Sequence, residues 1–238
     1  MALPLANTAK YELTLPSQQK VVSFRPFLVK EEKILLMAME SGDGNEILNA
    51  VKEIVKQCTF GEIIAEDYPM FDIEYVFLQI RAKSVGEVAK IKVLCPDDKK
   101  TYVNTEVDLS KIEVFVDDDH DKNVVVDETR KLGVVMKYPT LKDVNAGMFS
   151  GNVKLEDMYD MITNSIESIF EGEKVYMAKD STKEELKEFI DSLTADQMKK
   201  INSFYSSMPR LEHKVEVTNP KTNVTSEVTM KGLADFFV

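Results

Sequence analysis

The chain contains two histidines, His120 and His213, and histidine is the side chain that most often transfers protons in enzymes. His213 lies between Glu212 and Lys214, where it could act as a general base. A Ser–His–acid triad also needs an activated nucleophile, and the sequence has no glycine-flanked nucleophile motif. The simpler interpretation of His213 is a polar residue at the edge of a strand. We therefore predict that the protein is not an enzyme and has no catalytic residues.

Two stretches contain side chains that could bind a metal. Residues 117–121 (DDDHD) could supply carboxylate oxygens to a hard cation such as Ca²⁺, but they lack EF-hand spacing, its glycine and its terminal glutamate. A solvated loop is the simpler interpretation, and contact with a basic patch of a partner is a second one. Cys95 precedes Pro96 at a strand end, but no cysteine or histidine lies at zinc-site spacing from it. We predict no metal site and no cofactor.

Residues 42–45 (GDGN) are the one glycine pair that could hold a phosphate at the start of a helix. The segment lacks the Lys-Ser/Thr of a P-loop and the third glycine of a dinucleotide site. A helix rather than a strand is predicted before it. These residues therefore predict a turn between two helices.

The composition excludes several classes of protein. The chain has 238 residues, a net charge of −11 and a pI of about 4.8, without a basic stripe, so we expect no binding to nucleic acid. No apolar run is long enough to span a membrane, and we see no signal peptide at the first residues. The only cysteines, Cys58 and Cys95, are expected to be free thiols in a reducing compartment. An acidic protein of this kind suits protein partners.

The apolar pattern of the first third predicts a hairpin followed by three helices. The third helix is apolar on most sides, which is typical of a helix that is buried all round. The predicted elements are strands over residues 11–15 and 22–24 and helices over residues 29–40, 45–58 and 67–82.

The middle of the chain changes to the alternating period of β-strands. A hairpin is predicted around the turn at residues 96–100, and residues 114–116 are predicted to extend it. Two more strands follow before Pro139. Residues 87–139 are therefore predicted to form a small antiparallel sheet.

Helical spacing returns after Pro139. One apolar stripe predicts a helix from Leu155 to Phe170 that is ended by Gly172. Two further helices begin at capping-box spacings, which are Ser181 with Glu184 and Thr194 with Gln197. A last hairpin is predicted around the turn at residues 219–223.

These elements predict an α+β fold with helical bundle elements, a small antiparallel sheet in the middle and a C-terminal β-hairpin. We divide the chain into residues 1–86 (hairpin plus helices), 87–139 (antiparallel β region) and 140–238 (helical region with the hairpin), which could form one compact unit. The chain ends in residues 233–238 (LADFFV), which are bulky and apolar where chain ends are usually polar. We predict that Phe236 and Phe237 are buried, either under the hairpin or in a neighbouring subunit.

Several blocks of sequence resemble the baseplate hub protein family of T-even-type contractile-tailed phages. The resemblance covers most of the chain, with the acidic middle the least secure part, and its motifs are structural. The blocks are VSFRPFLVKEEKILLMA (22–38), DIEYVFLQIRAKSVG (72–86), FIDSLT (189–194), MPRLEH (208–213) and KGLADFF (231–237).

The resemblance implies a non-enzymatic structural or assembly protein that is made late in infection in the host bacterial cytoplasm. It would bind other hub or tail proteins, and it could form a homo-oligomer or remain in the virion. The alternative is a transient tail-assembly chaperone that is absent from the mature virion. The candidate contact residues are Arg25, Pro26, Phe27, Leu233, Phe236 and Phe237. Packing in the core is the alternative for Phe24 and Phe27.

The resemblance also draws attention to two hairpin turns. Some relatives carry paired cysteines there, in the manner of zinc knuckles. In this chain the turns are CPDDK (95–99) and NPKTN (219–223), and only Cys95 remains. We therefore expect these hairpins to depend on strand pairing and packing without a metal.

Overall fold

The structure is a computed structural model that describes residues 8–143 and 155–232. The described residues form six α-helices and eleven strands, and all strand pairs are antiparallel, which confirms the predicted α+β class. The helices are α1 (Val29–Ser41), α2 (Gly44–Cys58), α3 (Met70–Val85), α4 (Leu155–Asn164), α5 (Lys183–Asp191) and α6 (Ala195–Ser207). The strands are β1 (Tyr11–Thr14), β2 (Val21–Phe24), β3 (Val88–Leu94), β4 (Tyr102–Asp108), β5 (Val114–Phe115), β6 (Asn123–Asp127), β7 (Leu132–Met136), β8 (Ile166–Glu171), β9 (Lys174–Met177), β10 (Arg210–Thr218) and β11 (Thr225–Lys231).

The contacts divide the chain into two compact units. The first unit contains residues 1–115 and 210–238, and the second contains residues 116–209. None of the described helices is long and apolar enough to cross a membrane. The division into residues 1–86, 87–139 and 140–238 stays a prediction about how the chain folds.

The first unit is built from α1–α3 and three small sheets. β1 pairs with β2, β3 pairs with β4, and β10 lies between β11 and β5. α3 is buried on most sides, as predicted, with Ile73, Phe77 and Ile80 fully inaccessible to solvent. Its apolar residues are covered by neighbouring elements in more than one direction, which explains why the helix is apolar on most sides.

The second unit has one four-stranded sheet, in the order β6-β7-β8-β9, and its core includes residues of α4–α6. Val134 and Met136 on β7 are fully buried, and they share this core with Phe204 on α6. The strands predicted over residues 87–139 are present, but they are distributed over three different sheets. In particular, β5 pairs with β10 and does not extend the β3–β4 hairpin.

The helix predicted from Leu155 to Phe170 is wrong beyond Asn164, because Ile166–Glu171 form strand β8. The Ser165 hydroxyl donates to the Met161 carbonyl at 2.8 Å, which occupies one of the last acceptors of α4. A register shift at Val135 and Met136 then places Ile166 opposite Met136 and Ile169 opposite Val134. The bulge therefore lets residues three apart in sequence face the same core, so that a strand shows helical spacing.

The capping boxes are confirmed for one helix and displaced by one residue for the other. Thr194 and Gln197 cap α6 as predicted, but α5 is capped by Thr182 with Glu185 rather than by Ser181 with Glu184. The Thr182 N–H donates to the Glu185 carboxylate at 2.7 Å, and the Glu185 N–H donates to the Thr182 hydroxyl at 3.2 Å. Both residue pairs have the required spacing, so the sequence alone did not separate them.

Candidate functional site

The two hairpin turns singled out in the sequence lie against each other in the first unit. The Asp97 carboxylate, in the β3–β4 turn, accepts two hydrogen bonds from Asn219 Nδ2, both at 3.0 Å, and one from the Thr222 hydroxyl at 2.5 Å. Asn219 is completely buried. We call Asp97, Asn219 and Thr222 the turn clasp.

The backbones of the two turns follow the same plan. Each has proline in second position, and each has a residue with positive φ in fifth position, Lys99 at 52° and Asn223 at 58°. The N–H of that residue donates to the carbonyl of the first residue, at 3.0 Å to Cys95 and at 2.8 Å to Asn219. The two turns therefore have the same backbone geometry.

The turn clasp corrects the expectation that these hairpins depend on strand pairing and packing alone. A carboxylate that accepts several hydrogen bonds cross-links the two turns, as a metal ion held by both would do. Burial raises the pKa of the Cys95 thiol and so favours its protonated form, which binds metals poorly. Among the described residues, no three His, Cys, Asp or Glu side chains form a group that could hold a metal ion.

Asp97→Ala is expected to destabilise the first unit above pH 4 because it leaves the buried Asn219 amide without its acceptor. The Thr222 and Asn219 hydrogen bonds lower the pKa of Asp97 below the ordinary 3.8. The stabilisation is therefore fully present above about pH 4 and is lost as the pH falls through the folded pKa. Thermal melts across this range should show the two proteins converging in acid. Glu106→Ala, which removes a surface carboxylate 3.7 Å from Lys90, should change little at any pH.

Hydrogen bonds and an ion pair within the first unit fix the segment from Arg25 to Leu28. Arg25 Nη2 lies 2.9 Å from Glu31 Oε1, and Arg25 Nη1 donates to the Pro26 carbonyl at 2.9 Å. The other Glu31 oxygen accepts the Leu28 N–H at 2.7 Å and so caps the start of α1. The Phe27 N–H donates to the Ser84 hydroxyl at 2.9 Å. The guanidinium of Arg25 is thus engaged within the chain.

The predicted contact residues have different surroundings. Arg25, Pro26 and Phe27 are half-buried, while Phe24 is buried in the core, so its packing alternative holds. Leu233, Phe236 and Phe237 lie outside the described residues. A contact role for these candidates stays a prediction.

The outer face of α1 is an apolar surface that the sequence analysis missed. Glu31, Leu35 and Ala38 face inward and are buried. On the opposite side, Val29 is 80% exposed, Leu36 54% and Met37 60%, and Ile34 and Met39 are exposed beside them. The run ILLMAM (34–39) could have revealed this surface in the sequence. It makes α1 apolar on all sides, whereas the structure buries one side of the helix.

The two histidines lie in different units. His120 belongs to the second unit and His213, on β10 opposite Met230, to the first. His120 Nδ1 lies 2.9 Å from the Ser207 hydroxyl and Nε2 lies 3.0 Å from the Tyr138 hydroxyl. The Ser207 hydroxyl also lies 2.9 Å from the Ser203 carbonyl and 3.2 Å from the Phe204 carbonyl, and the His120 tautomer sets the direction of its bond to Ser207. Both ring nitrogens of His120 are thus engaged within the second unit.

The other two candidate sites are ordinary turns. Asp43 is the N-cap of α2 and its carboxylate accepts the Asn45 N–H at 2.8 Å, so a negative charge occupies the position where a phosphate would bind. In residues 117–121, Asp121 accepts the Asn123 N–H at 2.8 Å, and Asp118 and Asp119 are exposed to solvent. This arrangement matches the solvated loop.

The comparison with protein families decides what kind of protein this is. A family model described as "T4 bacteriophage base plate protein" matches residues 8–238. The chain belongs to the T4 base plate protein family. Searches of curated proteins and of solved structures gave no match. The resemblance to phage baseplate proteins is confirmed at the level of the family.

Membership of the T4 base plate family identifies a structural protein of the phage tail that works beside other tail and baseplate proteins. The features described above agree with a structural role. The turn clasp and the Arg25–Glu31 pair stabilise the chain, and the outer face of α1 leaves apolar surface available for a neighbour.

Proposed function

We propose that this protein is a non-enzymatic component of the central hub of the phage baseplate that binds other hub or tail proteins. It is made late in infection and acts in the host bacterial cytoplasm during assembly, and it stays in the virion as part of the tail baseplate. The outer face of α1 is the observation that carries the proposal. The resemblance to hub proteins includes this helix, within residues 22–38.

The outer face of α1 has the properties of a protein-binding surface. Val29, Leu36 and Met37 lie within about a quarter turn to either side of one line along the helix, directly opposite its buried side. Lys30, Lys33 and Glu40 lie on the same exposed side. Apolar and charged side chains therefore alternate on this face, and its aliphatic side chains fit an apolar groove.

The segment before α1 supports this surface. The Glu31 carboxylate fixes the first turn of α1 through the Leu28 N–H and through Arg25. Leu28 and Val29 therefore extend the outer face at a defined angle. We propose that Pro26 and Phe27 contribute at the rim, and that Arg25 acts by holding the segment in place. A preformed surface of this kind binds with a smaller entropic cost than a mobile one.

Replacing Leu36 and Met37 together by aspartate is expected to weaken binding to the hub partner by about tenfold or more, because both carboxylates would have to lose their water in the complex. The two side chains are more than half exposed, so the variant should fold as the wild type does. Purified variant and wild type are compared in pull-downs against each hub protein of the phage. Val224→Asp, at an exposed apolar residue of the β10–β11 turn, is the control and should bind normally. Wild-type protein that retains no hub partner would contradict the proposed function.

A transient assembly chaperone is the second candidate, and the exposed Met37 and Met39 favour it. Methionine side chains adapt to differently shaped apolar segments, which suits a protein that holds a tail component and then leaves. Mass spectrometry of purified virions distinguishes the two roles. A stoichiometric amount in the virion supports the hub component, and its absence supports the chaperone.

Deletion of residues 233–238 is expected to disrupt folding or hub assembly, because the segment ends in three bulky apolar residues. Circular dichroism of the truncated protein measures folding, and pull-down measures assembly. Substituting Leu233, Phe236 and Phe237 together by serine keeps the length and tests the side chains alone. A truncated protein that folds and assembles normally would show that these residues are dispensable.

A further inference from the structure

We propose that the second unit associates with a second copy of this chain by antiparallel pairing of β9 with β9, centred on Tyr176. Among the strands that the structure describes, β8 alone pairs with β9, on one side. All four residues of β9 are exposed, with Val175 at 61%, Tyr176 at 50% and Met177 at 37%. The inference does not depend on the proposed hub role.

The β8–β9 hairpin determines which backbone groups of β9 point outward. Its turn consists of Gly172 and Glu173, with Gly172 at a φ of 60°, and Glu171 lies opposite Lys174. A loop-closing pair of this kind exchanges both hydrogen bonds, and the pattern then alternates along the strand. Val175 and Met177 therefore direct their N–H and C=O groups away from β8, where a second strand can reach them.

These outward groups determine the register. Two antiparallel copies of β9 form backbone hydrogen bonds only between residues whose N–H and C=O groups point away from β8. Pairing centred on Tyr176 places Val175 of each copy opposite Met177 of the other copy. Each of these two pairs exchanges two backbone hydrogen bonds, which gives four in total. Centring the pairing on Val175 or Met177 instead would leave the other of these two residues without a strand residue opposite it, because β9 is bounded by the turn at Glu173 and by the 3-10 helix Ala178–Asp180.

The side chains agree with the same register. Val175 falls opposite Met177 of the second copy at both ends, so apolar side chains meet, and the pairing stops there because Ala178–Asp180 form a short 3-10 helix. On the outer face of the sheet, Val175 continues a cross-strand row formed by Val125, Gly133 and Phe170. The two-fold axis would extend this row from one copy into the other. This complementarity of β9 with itself is the reason for choosing a second copy as the occupant.

Cysteine cross-linking tests the register directly. In Tyr176→Cys the two introduced thiols would be directly opposite, within the Cα separation that a disulfide needs, whereas in Lys174→Cys they would be about 14 Å apart along the strands. The native Cys58 and Cys95 are both buried. With diamide as the oxidant, the full-length Tyr176→Cys protein is expected to form covalent dimer at least about tenfold faster than Lys174→Cys. Equal rates would overturn the proposal.

Substitutions in β9 test the pairing without cysteines. Val175→Asp or Met177→Asp places a carboxylate opposite an apolar residue of the second copy at both ends and should weaken association by about fivefold or more, because the carboxylate would have to lose its water. Sedimentation equilibrium of the full chain measures the dissociation constant at low and high ionic strength. Wild-type protein that stays monomeric at every concentration, or single variants that associate as well as wild type, would overturn the inference.

Discussion

Arg25→Met is expected to lower the free energy of unfolding of the first unit by about 3 kcal/mol, because it leaves the Glu31 carboxylate buried beside an apolar side chain. Glu31 is 1% exposed and lies 2.9 Å from the guanidinium. Hydrogen bonds from Arg25 and the Leu28 N–H hold the pKa of Glu31 below its ordinary value despite its burial, so the carboxylate is charged at neutral pH. Denaturation by urea, followed by circular dichroism, measures the loss.

Two further variants test whether the loss of stability comes from breaking the buried ion pair or from removing any positive charge near Glu31. Lys30 also lies near Glu31 Oε1, at 3.3 Å, but its side chain is 65% exposed, so Lys30→Met should cost less than about 1 kcal/mol. The double variant Arg25→Met with Glu31→Met should be more stable than Arg25→Met alone, because no charge remains buried. If Arg25→Met and Lys30→Met proved equally stable, the guanidinium would not be the group that compensates Glu31.

Phe204→Ala is expected to lower the free energy of unfolding of the second unit by about 3–5 kcal/mol and to raise the pKa of His120. Phe204 is 1% exposed, and its ring centroid lies 5.3 Å from that of His120 and 5.8 Å from that of Tyr138. Burial, and then the Lys122 ammonium, keep the pKa of His120 below the ordinary 6.5, and Asp121 and Asp117 oppose the shift. Removing the Phe204 ring admits water and weakens the first of these causes.

The pH dependence gives this prediction a second readout. Because the folded pKa of His120 is lowered, the wild-type unit should lose stability as the pH falls below about 6.5, and Phe204→Ala should lose less over the same range. NMR titration of the His120 ring signals measures its pKa in wild type and variant. Phe204→Leu keeps most of the packing and should change both quantities less. An unchanged pKa in Phe204→Ala would mean that the ring does not desolvate His120.

Local patterns predicted most elements because neighbouring residues determine them. The helices near residues 29–41 and 44–58 and the hairpin around residues 95–101 follow from spacing and turn residues, and the structure confirms them. β8 could not be predicted in the same way. Its apolar spacing depends on an extra residue, Glu167, in its pairing with β7, which lies thirty residues earlier, and no local pattern reports the register of a distant strand. The same limitation applies to β5, whose partner β10 is almost a hundred residues away.

The same distinction between local patterns and long-range contacts applies to the candidate sites. The sequence identified both turns that form the turn clasp, but not that Asp97 joins them, because Asp97 and Asn219 are 122 residues apart. The ILLMAM run indicates that α1 is apolar, but only the fold shows which side of the helix is buried. For the histidines, the absence of a catalytic role stays a prediction, and the structure adds that His120 lies within hydrogen-bond distance of Tyr138 and Ser207.

The turn clasp has a consequence for how the protein matures. A joint between two hairpins that relies on zinc is complete only after the ion has been captured, and it fails when thiolates are oxidised or the ion is removed by a chelator. Asp97, Asn219 and Thr222 are part of the polypeptide, so this joint closes as soon as the two turns meet. Closing this joint therefore requires neither a supply of zinc nor a reducing environment.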